Sequence, residues 1–195
     1  MQWLKSDYKA LIAVSVGTKV AVKDWGEKNW NQLLAMLSME MPRSTLVFLG
    51  AADEQARSEK LSSTWAGPVI NLCGRISPRV SAAVLERCRL FIGQDSGPMH
   101  LASAVGIPTL GLFSWFNPPG QWFPGHPSWD FVKVLYPQLP TGGWETTLQM
   151  KSSDTEGIGL LRPIEAFNAA MGLLNGHSNL LAPASNARLT EPAIE

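Results

Sequence analysis

Short apolar runs that alternate with longer amphipathic segments constrain the fold of this chain more than any other feature. The first run, Ala10 to Val16, ends at Gly17, and residues 29–39 then carry an apolar stripe at helical spacing. This alternation is typical of βαβ units that surround a parallel sheet. We therefore predict an α/β fold with a Rossmann-like, doubly wound parallel sheet. The remaining apolar runs lie at 44–49, 68–73, 90–94, 108–113 and 129–135.

Helix signals separate these runs. Ser77 followed by Pro78 predicts an N-cap and a first helical turn, and this helix is expected to extend to Cys88. Loop-forming residues dominate 137–159, and the sequence after Gly176 has no apolar periodicity. We expect one domain over 1–176 and a disordered tail over 177–195. The other predicted helices are 53–64, 98–105 and 163–174.

Composition argues against several classes of protein. The chain has 16 Lys and Arg against 16 Asp and Glu, so a basic face for nucleic acid is not expected. Cys73 and Cys88 have neither redox nor zinc spacing, which favours a reducing compartment. No signal peptide or membrane-spanning run is recognisable. We expect a cytoplasmic protein with at most peripheral contact with the inner membrane.

The strongest local feature is the sequence DSGPMHLA at 95–102, where an apolar strand runs into a small-residue turn and then a helix. Gly97 lets a ligand approach the backbone, and Pro98 presets the first helical turn. The amides of that turn and the helix dipole favour an anion such as a diphosphate. In the alternative interpretation, Ser96 only caps the helix and Asp95 only ends the strand.

Two further loops are predicted to open at the same edge of the sheet. Thr18, Lys19 and Lys23 follow the first strand, and their hydroxyl and ammonium groups could reach the same anion. Asp53 and Glu54 follow the second strand, where an acid can accept hydrogen bonds from ribose hydroxyls. The alternatives are a solvated lysine and acids that only favour a helix N-terminus.

Missing motifs narrow the chemistry. The sequence has no GxGxxG, GxxxxGK[ST], HExxH, GxSxG or DxD pattern, which removes the sequence support for dinucleotide, P-loop, zincin and hydrolase functions. His100, His126 and His177 lack a second ligand at metal spacing. No metal site and no cofactor are expected.

The order of these features resembles the C-terminal, donor-binding half of glycosyltransferase family 9, the lipopolysaccharide heptosyltransferases with the two-domain GT-B fold. DSGPMHLA at 95–102 is similar to the family's D-[ST]-G-x-x-H-x-A, and Lys23, Trp25 and Trp30 resemble its lysine and tryptophan after the first strand. Phe113 with the prolines and Trp122 beyond it resembles the family's next segment. The resemblance covers about residues 10 to 175.

The resemblance implies a role for each matching residue. Asp95 would contact the sugar, and Lys23 would neutralise the leaving diphosphate, which makes these two the candidate catalytic residues. Glu54 would bind the ribose. Fixed amides and a lysine can stabilise a diphosphate leaving group without a metal. The implied diphosphate-binding residues are Thr18, Lys23, Ser96, Gly97, Pro98, Met99 and His100.

The resemblance also implies the reaction: transfer of heptose from ADP-heptose to a lipopolysaccharide core acceptor, with inversion at the anomeric carbon. The acceptor site and its base belong to an N-terminal domain in such enzymes. Because the sequence begins almost directly with the donor-domain strand, we expect this chain to lack that domain. Two alternatives remain, a catalytically inactive nucleotide-sugar-binding module and a protein-interaction domain that docks a partner through Trp115, Trp122 and Phe123.

Overall fold

A parallel six-stranded sheet forms the centre of the fold in the computed structural model, which describes residues 10–116, 119–125, 129–137 and 157–180. The strand order is β3-β2-β1-β4-β5-β6, and every neighbouring pair is parallel. This is the doubly wound order expected from the alternation of apolar runs and helical segments. The strands are β1 Ala10–Ser15, β2 Ser44–Phe48, β3 Val69–Asn71, β4 Cys88–Gln94, β5 Thr109–Leu112 and β6 Val132–Leu135.

Helices cover both faces of this sheet. One core cluster contains Trp30 of the first helix, Leu61 of the second and Ala169 of the last, whereas the other contains Leu85 and Met99 of the third and fourth. Successive side chains of each central strand point to opposite faces of the sheet and enter different clusters. Both faces are therefore apolar, and the strands appear in the sequence as continuous apolar runs. The helices are α1 Glu27–Glu40, α2 Gln55–Ser62, α3 Pro78–Leu85, α4 Gly97–Ala104 and α5 Pro163–Leu180.

The structure confirms the predicted fold class and corrects two boundaries. Cys88 begins β4 instead of ending α3, because it pairs with Leu11 of β1, and a register shift then leaves Arg89 exposed before Leu90 pairs with Ile12. Helix α5 continues to Leu180, beyond the predicted helix end at Leu174 and into the segment predicted as the tail. The predicted disorder of 181–195 and the predicted loop at 138–156 lie outside the described residues. The part of the chain that is described contains no helix with the length and hydropathy needed to cross a bilayer.

The connectivity determines where a ligand can bind. Strands β2 and β3 lie on one side of β1 in the sheet, and β4 lies on the other side. The loops that follow β1 and β4 therefore diverge, one toward each face of the sheet. Crevices at such a switch point, outside the carboxyl ends of the strands, are where open α/β sheets bind ligands.

Candidate functional site

A cavity of about 810 Å³ opens at this switch point. Its floor comes from the loops after β1, β2 and β4, and its wall from the first turns of α3 and α4. The volume lies in the usual range for small-molecule sites. The sequence-predicted residues that line the cavity are Thr18, Lys23, Glu54, Asp95, Ser96, Gly97, Pro98 and His100.

At the end of the cavity formed by the loop after β4, which we call the cation end, a lysine and a histidine side chain face Asp95. Lys23 Nζ lies 2.5 Å from Asp95 Oδ2, and His100 Nε2 lies 3.8 Å from Oδ1. The Lys23 and Asp95 side chains are only 13% and 10% exposed. Burial would raise the pKa of Asp95, but the hydrogen bonds from His100 and Lys23 and their charges hold the pKa below its ordinary value. The carboxylate is therefore ionised at neutral pH and fixes the Lys23 ammonium in place.

Buried contacts of Trp25 fix the loop that carries Lys23. The Trp25 backbone N–H donates to Gln94 Oε1 at 2.7 Å, and its indole N–H donates to the Leu161 carbonyl at 2.8 Å. The indole ring also meets Trp30 edge to face, with 5.2 Å between ring centroids. Because Gln94 directly precedes Asp95, the same contacts hold Lys23 against Asp95.

The two helices that begin at the cavity have different N-termini. Ser77 caps α3 as predicted, with its side chain accepting from the Val80 N–H. Ser96 does not cap α4, and its buried hydroxyl has no hydrogen-bond partner within the described ranges. A Cβ built on Gly97 would meet none of the described atoms within 4 Å, so a ligand can reach the backbone there. The capping interpretation of Ser96 is wrong, and the first turn of α4 faces the cavity.

At the end of the cavity formed by the loop after β2, on the other side of β1 from β4, Glu54 lies across two glycines; we call this the carboxylate end. A Cβ on Gly17 would come 2.1 Å from Glu54 Cδ, and one on Gly50 would come 1.9 Å from Oε2. Glu54 Oε2 is buried with no hydrogen-bond partner among the described residues. Burial and the nearby Asp53 charge raise the pKa of Glu54. The fold thus holds a desolvated carboxylate oxygen where a ligand hydroxyl could donate to it.

Two of the predicted diphosphate-binding residues, Met99 and Thr18, have fewer groups available to a ligand than predicted. The Met99 side chain is fully buried in the core and does not line the cavity, so only its backbone could reach a ligand. The Met99 N–H already donates to the Ser96 carbonyl at 3.1 Å. The Thr18 hydroxyl accepts from the Val20 N–H at 3.2 Å, which shapes the turn beneath the cavity.

Sequence reasoning missed part of the site. Ile76 and Ser81 line the cavity, although β3 lies at the edge of the sheet. The sequence could have indicated both residues, because the loop from β3 to α3 opens at the same edge of the sheet as the loops after β1 and β4. Arg57 was also missed; it binds Asp24, the neighbour of Lys23, through both terminal guanidinium nitrogens at 2.8 Å.

The aromatic segment after β5 is less exposed than predicted. Trp115 stacks on Tyr136 with 4.6 Å between ring centroids, and Phe123 packs against Phe113 at 5.5 Å. Only Trp122, 62% exposed, and Phe116, 42% exposed, present large apolar surfaces here among the described residues. The Phe116 ring lies 5.2 Å from Lys23 Nζ, so part of this segment belongs to the cation end.

Comparison with known proteins identifies the family. The profile described as Glycosyltransferase family 9 (heptosyltransferase) matches residues 4–147. The chain belongs to glycosyltransferase family 9. A curated member from Pseudomonas aeruginosa, lipopolysaccharide heptosyltransferase 1, is 32% identical over 102 residues, which are 52% of this chain and 28% of that protein.

Solved structures of heptosyltransferases share the fold. ADP-heptose lps heptosyltransferase II of E. coli superposes with a TM-score of 0.71 at 19% identity, covering 91% of this chain and 50% of that one. An E. coli heptosyltransferase with ADP-2-deoxy-2-fluoro heptose gives 0.59 at 18% identity, covering 88% of this chain and 44% of that one. The chain thus corresponds to about half of these GT-B structures and matches less than a third of the Pseudomonas relative.

Proposed function

We propose that this chain is the donor-binding part of a heptosyltransferase-like glycosyltransferase and that its cavity binds a nucleoside diphosphate sugar, with ADP-heptose the favoured donor. The observation that carries the proposal is one cavity with a paired lysine at one end and, at the other, a desolvated carboxylate whose Oε2 has no hydrogen-bond partner among the described residues. A nucleoside diphosphate has the complementary groups, an anion and a ribose diol.

The cation end suits the diphosphate. Lys23 and the first turn of α4, with Ser96 and Gly97, supply an ammonium, a hydroxyl and backbone amides on one side of the cavity. These groups bind the anion in the ground state, and they stabilise it further as the anomeric C–O bond breaks and charge develops on the leaving diphosphate. Asp95 repels phosphate oxygens, so we place this carboxylate toward the sugar instead of the diphosphate.

The carboxylate end suits the nucleoside. Glu54 Oε2 is an acceptor without a donor among the described residues, and a ribose hydroxyl would satisfy it. The two glycines beneath Glu54 leave room for its side chain without forcing it upward into the cavity. The related E. coli structure contains ADP-2-deoxy-2-fluoro heptose, which supports an ADP-linked sugar as the donor for this chain.

The acceptor completes the proposed reaction. We propose a lipopolysaccharide core acceptor, reached with an acceptor-binding domain of the kind that family 9 enzymes carry, and inverting transfer without a metal. Transfer requires a base within hydrogen-bond reach of the acceptor hydroxyl. Within the described ranges no group of His, Cys, Asp and Glu side chains has the arrangement to hold a metal ion.

Calorimetric titration of the 195-residue chain with ADP, UDP, adenosine and inorganic phosphate tests the donor assignment. We expect ADP to bind more tightly than adenosine or phosphate alone, and ADP to raise the melting temperature because it binds the native state. A chain that binds none of the nucleoside diphosphates would overturn the proposal.

A transfer assay separates an enzyme from an inactive binding module. The chain is fused to, or mixed with, the acceptor-binding domain of a complete relative, then incubated with ADP-heptose and deacylated core acceptor in the presence of EDTA. Product detected by mass spectrometry supports a metal-independent transferase. Tight ADP-heptose binding with no product in any combination would favour the inactive module.

A further inference from the structure

Asp24 and Arg57 join the two segments that carry the ends of the cavity. Asp24 directly follows Lys23, whereas Arg57 lies one helical turn after Glu54 in α2. The two guanidinium nitrogens each donate to a separate Asp24 oxygen at 2.8 Å. This bidentate arrangement fixes orientation as well as distance, which a single ammonium contact does not.

A backbone contact strengthens the arrangement. Asp24 Oδ1 also accepts from the Gly26 N–H at 2.9 Å, just before α1 begins. The Arg57 side chain is 19% exposed and that of Asp24 36%, so solvent screens this pair less than it screens a surface pair. Burial would raise the pKa of Asp24, but the hydrogen bonds from Arg57 and Gly26 hold it below its ordinary value. The pair therefore stays charged at neutral pH.

The pair is the innermost of a series of polar contacts that join α2 and the turn after it to α1 and the loop before it. Further from the cavity, Lys60 binds Glu27, and the Thr64 hydroxyl donates to Asn31 Oδ1 at 2.7 Å. The Lys60 and Glu27 side chains are 67% and 39% exposed. The outer contacts keep the two helices together, but only the innermost one adjoins residues that line the cavity.

We propose that Asp24 and Arg57 are positioning residues that hold Lys23 and Glu54 at a fixed separation, so that one nucleotide contacts both ends of the cavity at once. The inference rests on the proposed function, since it assigns the ligand's two ends to Lys23 and Glu54. Arg57 does not line the cavity, so it acts through the two residues that it connects.

Substitutions that keep side-chain size test the inference. Arg57→Gln and Asp24→Asn remove the charge pair, and Lys60→Gln, which breaks only the exposed contact, is the matched control. We expect ADP affinity to fall about tenfold in either of the first two variants and to stay unchanged in the control, because each tenfold step corresponds to the loss of about one good polar contact. Adenosine and phosphate, which each need only one end, should lose much less.

A double variant separates positioning from general damage. If Asp24 and Arg57 act as one unit, combining Arg57→Gln with Asp24→Asn should weaken ADP binding no more than either change alone. Arg57→Lys should restore part of the affinity. Equal losses of ADP and adenosine affinity in Arg57→Gln, or a loss of the same size in Lys60→Gln, would overturn the inference.

A ligand-free measurement distinguishes failure of this inference from failure of the proposed function. The Arg57 charge lowers the pKa of Glu54, against burial and Asp53, which raise it. An NMR titration of the Glu54 carboxyl should therefore have a higher midpoint in Arg57→Gln than in the wild type, Arg57→Lys or Lys60→Gln. If the wild type binds no ADP, the proposed function fails. An unchanged Glu54 midpoint in Arg57→Gln overturns the connection between Arg57 and Glu54 whether or not ADP binds.

Discussion

The carboxylates at the two ends of the cavity have pKa values shifted in opposite directions. At the cation end Asp95 is held by Lys23 and His100, and its pKa lies below the ordinary value. At the carboxylate end Glu54 has a buried oxygen without a partner among the described residues, and its pKa is raised. One acid stabilises the ligand-free fold, whereas the other is desolvated and opposes it.

This contrast explains how the ligand-free fold can be stable while the cavity keeps groups that a ligand could bind. The ion pair at the switch point is satisfied without ligand, so it keeps Lys23 in position before the anion arrives. In the nucleotide complex that we propose, Glu54 gains a partner for its buried oxygen, and that gain adds to affinity. Substitutions at the two ends should therefore change stability in opposite directions while both weaken binding.

The largest effect is expected for Lys23→Ala. The change leaves Asp95 buried without its nearest cation, which should lower the free energy of unfolding by about 3 kcal/mol, the low end for a broken buried ion pair. Because the pKa of Asp95 is depressed, this stabilisation is present at neutral pH and is lost as the pH falls through the lowered pKa. Denaturant unfolding at several pH values measures both.

Binding by the same variant tests the diphosphate assignment. Lys23→Ala should weaken ADP binding by about 1.5–3 kcal/mol, the range for a hydrogen bond to a charged group, and leave adenosine binding nearly unchanged. Lys28→Ala, in α1 but outside the cavity lining, is the matched control. If both ligands weaken equally in a variant that still folds, Lys23 does not contact the diphosphate.

The next effect is expected for Glu54→Gln. ADP and adenosine should both lose about 1.5 kcal/mol of binding free energy, because the charged acceptor for the ribose is gone. The free energy of unfolding at neutral pH should stay the same or rise, because a carboxyl with a raised pKa in the folded state costs stability once the pH exceeds that pKa. A clear fall in stability would break the contrast between the two ends.

Much of this comparison could be predicted from the sequence, because each end lies in a loop directly after a strand. The DSGPMHLA segment and Lys23 follow β4 and β1, and the parallel-sheet pattern brings such loops to one edge. Glu54 was placed near a ribose on the same reasoning. These predictions needed only strand periodicity and the family resemblance.

The partners of these residues could not be predicted in the same way. The Asp24–Arg57 pair depends on how α2 packs against the loop before α1, and no local pattern specifies that packing. Ser77 caps α3 as predicted, but the lack of capping by Ser96 could not be predicted, since each serine precedes a proline-containing first turn. Trp115 and Phe123 were expected on the surface, yet they pack on Tyr136 and Phe113 around the ends of β5 and β6.

A smaller effect is expected for Gly50→Ala. The new methyl would lie 1.9 Å from Glu54 Oε2, so the carboxylate must move. The new methyl would also lie 3.3 Å from the buried Cys73 Sγ, so this thiol must shift slightly. Gly→Ala removes about 0.4–1 kcal/mol of unfolded-state freedom, which offsets this crowding, so stability should change little. Binding of adenosine should fall toward that of Glu54→Gln, as calorimetry would show. Unchanged adenosine affinity would mean that the observed position of Glu54 does not matter for the nucleoside.

The smallest effect is the pH dependence of nucleoside binding, which isolates the carboxylate end. The charged and titratable groups that face Glu54 are Asp53, Lys19, Arg57 and the Cys73 thiol. Burial and the Asp53 charge raise the pKa of Glu54 above the ordinary glutamate value. Adenosine carries no phosphate, so Lys23 and Asp95 contribute little to its binding. As the pH falls through the raised pKa, the carboxylate is protonated and loses acceptor capacity, and adenosine affinity should decline. Glu54→Gln should bind adenosine weakly and equally across this range. If the wild type instead binds adenosine with the same affinity at every pH, as the variant should, then Glu54 does not bind the ribose. In that case only the cation end would remain as a candidate for binding the ligand.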